Sequence, residues 1–391
     1  MIGRRARRGT VSPHRPTVLV DHWFSHAVGH VIEALRRCQG YHAADPTVRP
    51  SLVLNGASPI ELVRCAPFVE GVYPVPYTSF GRPEGRPRAA LRGIPRDWDY
   101  VLHHPAATNP EAQRFDGLQG YYAASRRHFR ARVFRGVAGQ SPPAYAAHQH
   151  LRLELPEAER ASARQELRGR RSIAVMPAGS GARLLYPSAA SWLLVLDELE
   201  RRLPGVAFTF VGRVRPDGGR TVSGITRAEV DLLLGSRARA VDAFDRPILA
   251  QLALVELADL FVSPHTGFAF AATAVGVPWL TLSGGDWHEH FFNGVPFHSV
   301  LPKGHGQAFV RGRTLPKVEA DVDGEGPRAE VMTLRRVRED LDELGEAAER
   351  LVRGEIRYED ALAAYFPRVL EAYGGDRSLV GAFDDLDRLY L

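Results

Sequence analysis

Four groups of residues have types and spacing that could do chemistry. Asp21, His22, His26 and His30 fall within ten positions. A histidine titrates near neutral pH, which suits it to take a proton from a weak nucleophile. His26 and His30 stand four apart and share a face if a helix starts early enough. With Asp21 as an orienting carboxylate they compose a candidate general base; histidines merely packed on a helix are the plain alternative. His103 and His104 follow another apolar run and could line the same cleft.

The second group is S-P-H-T-G over residues 263–267, between an apolar run and a stretch of small residues. A helix opening there offers unpaired backbone N–H groups and a partial positive charge to an anion. Thr266 and Gly267 would bring those groups against a phosphate, or Thr266 would simply cap the helix. The third is P-A-G-S-G-A-R over 177–183, where Gly179 and Ser180 admit a ligand to the backbone and Arg183 could grip a phosphate. It lacks the Lys-Ser/Thr ending of a P-loop. The fourth is S-G-G-D-W-H-E-H-F-F over 283–292. Asp286 and Glu289 suit hydrogen bonds to sugar hydroxyls. His288 and His290, two apart on a loop, are a weak metal pattern, and no metal is expected.

These groups need elements to position them. Apolar runs at 17–21, 51–54, 72–75 and 100–103 read as strands, with helices at 28–37 and 59–65. Residues 154–171 are charged and strandless and read as a helical linker. The pattern then restarts: strands at 172–176, 207–211, 240–241, 260–262 and 279–282, helices at 192–203, 247–258 and 267–275. Strands alternating with helices indicate parallel sheets. In such sheets ligands lie beyond the carboxyl ends of strands, where all four groups fall. The reading is an α/β chain with a basic tail over 1–15, a first domain over 16–155, a linker over 156–171, a second domain over 172–326, and helices over 327–391 that pack back on the first domain.

The 391 residues suit two domains, and 45% hydrophobic with 24% charged residues is ordinary for a globular protein. No apolar run reaches the roughly 18 residues of a membrane span. No apolar run of signal-peptide length follows the basic N-terminus, so no secretory signal is expected. Arg4, Arg5, Arg7, Arg8 and Arg15 alone account for a charge the size of the net +5. No basic stripe interleaves with aromatics, so nucleic acid is not an expected partner. Cys38 and Cys65 are the only cysteines, so neither a zinc knuckle nor a disulfide framework is indicated and a reduced, cytoplasmic setting fits.

In order, M-P-A-G-S-G-A-R-L-L-Y-P (176–187), F-T-F-V-G ending at Gly212, V-S-P-H-T-G-F-A-F-A-A (262–272) and V-G-V-P-W-L-T-L-S-G (275–284) run through the second half. This series resembles the heptosyltransferase-like glycosyltransferases, the family of ADP-heptose:lipopolysaccharide heptosyltransferases. S-H-A-V-G-H-V-I-E-A-L-R (25–36) is similar to that family's opening S-x-x-G-D segment, with His30 where the family carries the aspartate proposed as its base. His265 stands for the aspartate of the family's D-T-G, Arg183 for its loop lysine and Phe270 for its H-x-A-A histidine. These departures indicate a divergent member with another donor or acceptor, not a true heptosyltransferase.

The resemblance implies a GT-B fold, two Rossmann-like domains facing across a cleft. It implies inverting, metal-independent transfer of a sugar from a nucleoside-diphosphate donor to an acceptor hydroxyl, with no further cofactor. His30 is then the first candidate base, His26 the second, with Asp21 as orienter. Gly179, Ser180, Arg183, Gly212, His265, Thr266 and Gly267 would hold the donor, its base resting near Ala243 and Phe244, with Asp286 and Glu289 on its hydroxyls. His22, His103 and His104 would face a small-molecule or glycan acceptor. A nucleotide-sugar 2-epimerase on the same fold, or a non-catalytic nucleotide or sugar binder, are the rival readings.

Overall fold

Apolar runs buried on both faces form parallel strands, and the amphipathic stretches between them form the covering helices. The computed structural model describes residues 15–24, 26–76, 87–105, 116–216, 220–303, 308–309, 316–320 and 326–391. Arg4, Arg5, Arg7, Arg8 and residue 25, which entered the sequence reading, lie outside them.

The first half comprises β1 (Val18–Asp21), α1 (Val28–Ala44), β2 (Ser51–Asn55), β3 (Gly71–Val75), α2 (Pro87–Ala90), β4 (Asp97–His103), α3 (Asp116–His128) and β5 (Arg130–Val137). The second half opens with α4 (Glu157–Leu167), β6 (Ser172–Val175), α5 (Ala189–Arg202), β7 (Ala207–Phe210), α6 (Arg227–Gly235) and β8 (Ala240–Asp242). It continues with α7 (Ile248–Glu256), β9 (Leu260–Pro264), α8 (Gly267–Ala274), β10 (Trp279–Leu282) and β11 (Phe297–Val300). A short antiparallel pair, β12 (Val318–Ala320) and β13 (Pro327–Ala329), precedes the helices α9 (Leu334–Val352) and α10 (Tyr358–Ala372).

The first sheet runs β3-β2-β1-β4-β5 and the second β11-β10-β9-β6-β7-β8, with every neighbouring pair parallel. Strand order reverses between β1 and β4 in one sheet and between β6 and β9 in the other. Crevices for ligands open beyond the carboxyl ends at such reversals. The loops after β1, β6 and β9 carry the 21–30, 177–183 and 263–267 groups. This is the α/β, GT-B arrangement expected from the sequence.

Two connections differ from expectation. The helix expected over 156–171 is present as α4, but it packs on α7 as part of the second half instead of standing as a linker: Ala163 and Leu167 are buried, and Arg160 grips Glu256 through two bonds of 2.7 Å. Helices α9 and α10 lie mainly on the second half, α9 against α5 and α10 against β11, while Tyr358 at the start of α10 meets the His150 ring. The buried Arg336 of α9 donates to the Val300 carbonyl at 2.6 Å. The tail beyond α10 does reach the first half, where Arg36 donates to the Phe383 carbonyl at 2.6 Å. Among the described residues no helix is long and apolar enough to cross a membrane.

Candidate active site

Helices α1 and α8 meet at their N-termini, one from each half, through two glycines. A Cβ on Gly29 would lie 3.0 Å from the Gly267 Cα and 3.2 Å from the Phe270 ring; one on Gly267 would lie 2.9 Å from the Gly29 nitrogen. Only glycine lets the two backbones approach this closely. Each first turn has N–H groups without intrahelical partners, so the junction concentrates two positive helix ends. Thr266 caps α8, its Oγ1 accepting from the Ala269 N–H at 3.2 Å. No side chain caps α1 at Ala27. We expect Gly267→Ala to cost about 1–3 kcal/mol, as overpacking does. It would appear as a lower denaturant midpoint at unchanged slope; a variant as stable as the parent would contradict the close approach.

Beside this junction lies a solvent-open cleft lined from both halves of the chain. His26, Ala27 and Val28 from α1, and Thr266, Gly267 and Phe268 from α8, line it together with Gly179, Ser180 and Gly212. Gly179 is confined by the Tyr186 hydroxyl and the Thr266 methyl, 2.8 and 2.9 Å from where its Cβ would stand. Gly212 has φ +145° and its Cβ would meet the Phe244 ring at 2.7 Å, so both glycines are steric requirements. Gln251 braces the Gly212 turn: its Oε1 accepts from the Gly212 N–H at 2.9 Å, and its Nε2 donates to the Gly212 and Arg246 carbonyls at 3.2 and 2.8 Å.

Arg213, Arg220 and Arg246 supply the cationic lining of this cleft. Arg220 also bridges the halves, 2.8 Å from Glu61. Arg246 is held by Glu166 through bonds of 2.6 and 2.9 Å. The phosphate role expected of Arg183 is not what the structure gives it: Glu229 holds its guanidinium in a fork of 2.8 and 2.5 Å, and it does not line the cleft. That carboxylate comes from α6, and no local sequence signal announces it. Ala243 and Phe244 are likewise buried behind the cleft, which the same loop lines through Arg246 and Ile248.

The histidines gather around a carboxylate that the sequence reading passed over, Glu33. Its Oε2 lies 3.3 Å from His30 Nδ1 and 3.7 Å from His22 Nε2. Its Oε1 lies 2.8 Å from Arg37 and 3.6 Å from His104 Nε2. Burial works against the Glu33 charge, but the imidazoles and Arg37 hold its carboxyl well below the ordinary range. His22 is fully buried, and burial drives its pKa well down, with His104 adding to the effect. His26 is also lowered, by burial and by His30. The i, i+3 spacing of His30 and Glu33 on one helix was the available signal.

Other expected roles change. Asp21 is fully buried and accepts from Tyr121 at 2.7 Å, His103 Nδ1 at 2.8 Å and Ser125. It therefore orients His103, not His26 or His30, and His103 is buried under the sheet end instead of lining a cleft. His22 is buried too, so neither can meet an acceptor directly. Glu289 is fully buried; Ser283 and Tyr365 donate to it at 2.8 and 3.0 Å, and burial raises its carboxyl, so it cannot reach a sugar hydroxyl. Asp286 lines a second hollow with Ser180, Tyr186, His265, Thr266, Gly267 and Trp287. His288 contacts Tyr373 and the Gly381 carbonyl, both at 3.0 Å. His265, standing where the family has an aspartate, is held neutral: burial, then His290 and His288, push its pKa well below 6.5.

The two sheets, the cleft between them and the helix ends at its floor define a GT-B fold. Solved structures share it. The glycosyl transferase family 9 protein of Veillonella parvula superposes with a TM-score of 0.56 at 14% identity, over 87% of this chain and 97% of that one. E. coli ADP-heptose lps heptosyltransferase II gives 0.49 at 14% identity over 87% and 99%. A putative UDP-N-acetylglucosamine 2-epimerase from Listeria monocytogenes gives 0.42 at 12% identity over 95% and 100%. Only the first carries weight, and it bears on the fold. No protein family's sequence profile matches this chain, and no curated protein does.

Proposed function

We propose that the protein is an inverting, metal-independent glycosyltransferase, a divergent relative of the heptosyltransferases, moving a sugar from a nucleoside-diphosphate donor to an acceptor hydroxyl. The observation that carries this is the convergence of two helix N-termini and three arginines on one cleft, with the His30–Glu33 pair in the first turns of α1. An anion fits the first set of groups and a proton transfer the second. The donor diphosphate lies against the first turns of α1 and α8, with Arg213, Arg220 and Arg246 offsetting its charge. Those fixed donors stabilise the leaving diphosphate as the anomeric C–O bond breaks.

His30 takes the acceptor proton as the new glycosidic bond forms. Glu33 at Nδ1 sets the tautomer that leaves Nε2 free to accept. His30 is one-third exposed, whereas its neighbour His22 is sealed. Asp286 and Trp287, in the hollow that shares Thr266 and Gly267 with the donor cleft, contact the sugar or acceptor. The protein acts in the cytoplasm on a small molecule or glycan.

Purified protein incubated with nucleotide-sugars and a panel of hydroxyl acceptors should release nucleoside diphosphate only when both substrates are present, and give product of inverted anomeric configuration. Epimerised donor without acceptor would replace this reading with a 2-epimerase; nucleotide binding with no turnover would replace it with a binding protein. Arg213→Ala should raise the donor KM about tenfold or more, the loss of one charged hydrogen bond, as steady-state kinetics would show.

A further inference from the structure

His22, His30 and Glu33 each offer one ligand atom, and these atoms all lie within 4.8 Å of one another. Ligands around one zinc-sized ion, with bonds of about 2.0–2.2 Å, stand roughly 3.3–3.6 Å apart. The contacts of 3.3 Å from His30 and 3.7 Å from His22 to Glu33 Oε2 are already close to that spacing. His22 supplies the independent sign. It is wholly buried, and among the described residues neither ring nitrogen has a hydrogen-bond partner. A buried polar group without a partner costs stability unless something satisfies it.

The surroundings fit. Arg37 and His104 take the other Glu33 oxygen, which turns Oε2 toward the two imidazoles as an outer shell does. Two imidazoles and one carboxylate favour zinc, cobalt or iron(II) over magnesium or calcium. Arg37 opposes a dication, but its charge is directed at Glu33 Oε1. His30 is one-third exposed, so an ion can reach it from solvent.

We propose that His22 Nε2, His30 Nδ1 and Glu33 Oε2 bind a divalent transition-metal ion, and that binding switches transfer off. The second clause rests on the proposed function. A metal at His30 Nδ1 displaces the hydrogen bond to Glu33 and leaves the ring proton on Nε2, so the base can no longer accept. Zinc therefore competes with catalysis instead of assisting it, in keeping with metal-independent transfer.

The test is titration of chelator-treated protein with Co²⁺, followed by visible absorption. We expect one equivalent per chain, with d–d bands of low-symmetry cobalt. His22→Gln and Glu33→Gln should each weaken binding at least about tenfold; Glu33→Gln keeps the shape of the site should His22→Gln fold poorly. No bands at one equivalent, or equal affinity in both variants, would overturn the site. One equivalent of Zn²⁺ should lower transfer at least tenfold, and a chelator should restore it; unchanged transfer with cobalt bound would overturn the switch. Cobalt binding is read without substrate, so it stands or falls separately from the transferase reading.

Discussion

Replacing His30 with alanine is expected to lower kcat by about 10²–10⁴-fold, the usual contribution of a positioned general base, with little change in donor KM. The base acts on the acceptor proton, so donor binding by the α1–α8 junction should survive its loss. Glu33→Gln should lower kcat less, because glutamine can still accept from Nδ1–H while losing the charge that stabilises an imidazolium. His26 is the alternative base, and it lines the donor cleft without a carboxylate within ion-pair distance among the described residues. His26→Ala should therefore act mainly on donor KM. Single-turnover rates for the three variants would decide the assignment; full activity in His30→Ala would end it.

The second large effect is on stability in acid. His22 and His265 both have pKa values driven well below 6.5 in the folded state, by burial first and neighbouring histidines next. Between the folded and unfolded values the unfolded chain binds more protons, so stability falls as pH drops through 6.5 toward the folded value. Each group contributes about 1.4 kcal/mol per pH unit below that point. Glu289 and Asp340 act in the opposite sense, since burial raises their carboxyls and the folded state protonates first. Glu33 is silent in this window, because its lowered carboxyl loses stabilisation only at lower pH. The histidine part is isolated by difference. Relative to wild type, His265→Asn should gain about 1.4 kcal/mol between pH 7.5 and 5.5. Urea melts would show it, and a pH-independent difference would contradict the buried, neutral state.

What the sequence made legible follows from range. Strands β1, β6, β9 and β10 are apolar runs buried on both faces, and the small residues after Thr266 declare a helix packed tightly on a sheet. Local information is enough for such elements and for the order of the loops at their ends. Strand β5 was missed because Arg130, Arg132 and Arg135 give an exposed edge strand the look of a loop, although charge on an edge guards it against further pairing. Strand β11 was missed because His298 and Ser299 break its apolar run. Side-chain roles failed where a distant partner decides them: Tyr121 and Ser125 claim Asp21 from a helix about a hundred residues on, and Glu229 claims Arg183. Glu289 looked free in S-G-G-D-W-H-E-H because Tyr365, which buries it, comes from α10. Glu33 looked like a solvated helix acid until three histidines closed around it.

The most direct test of the central claim is thermal denaturation with UDP, GDP, ADP or dTDP, each beside its free nucleoside. A ligand at about 100 times its dissociation constant adds about 2.7 kcal/mol to stability. We predict that one of the four raises the melting temperature by several degrees, that its nucleoside does not, and that Arg213→Ala reduces the shift. No shift with any of the four, or an equal shift with the nucleoside alone, would contradict a diphosphate held between the N-termini of α1 and α8.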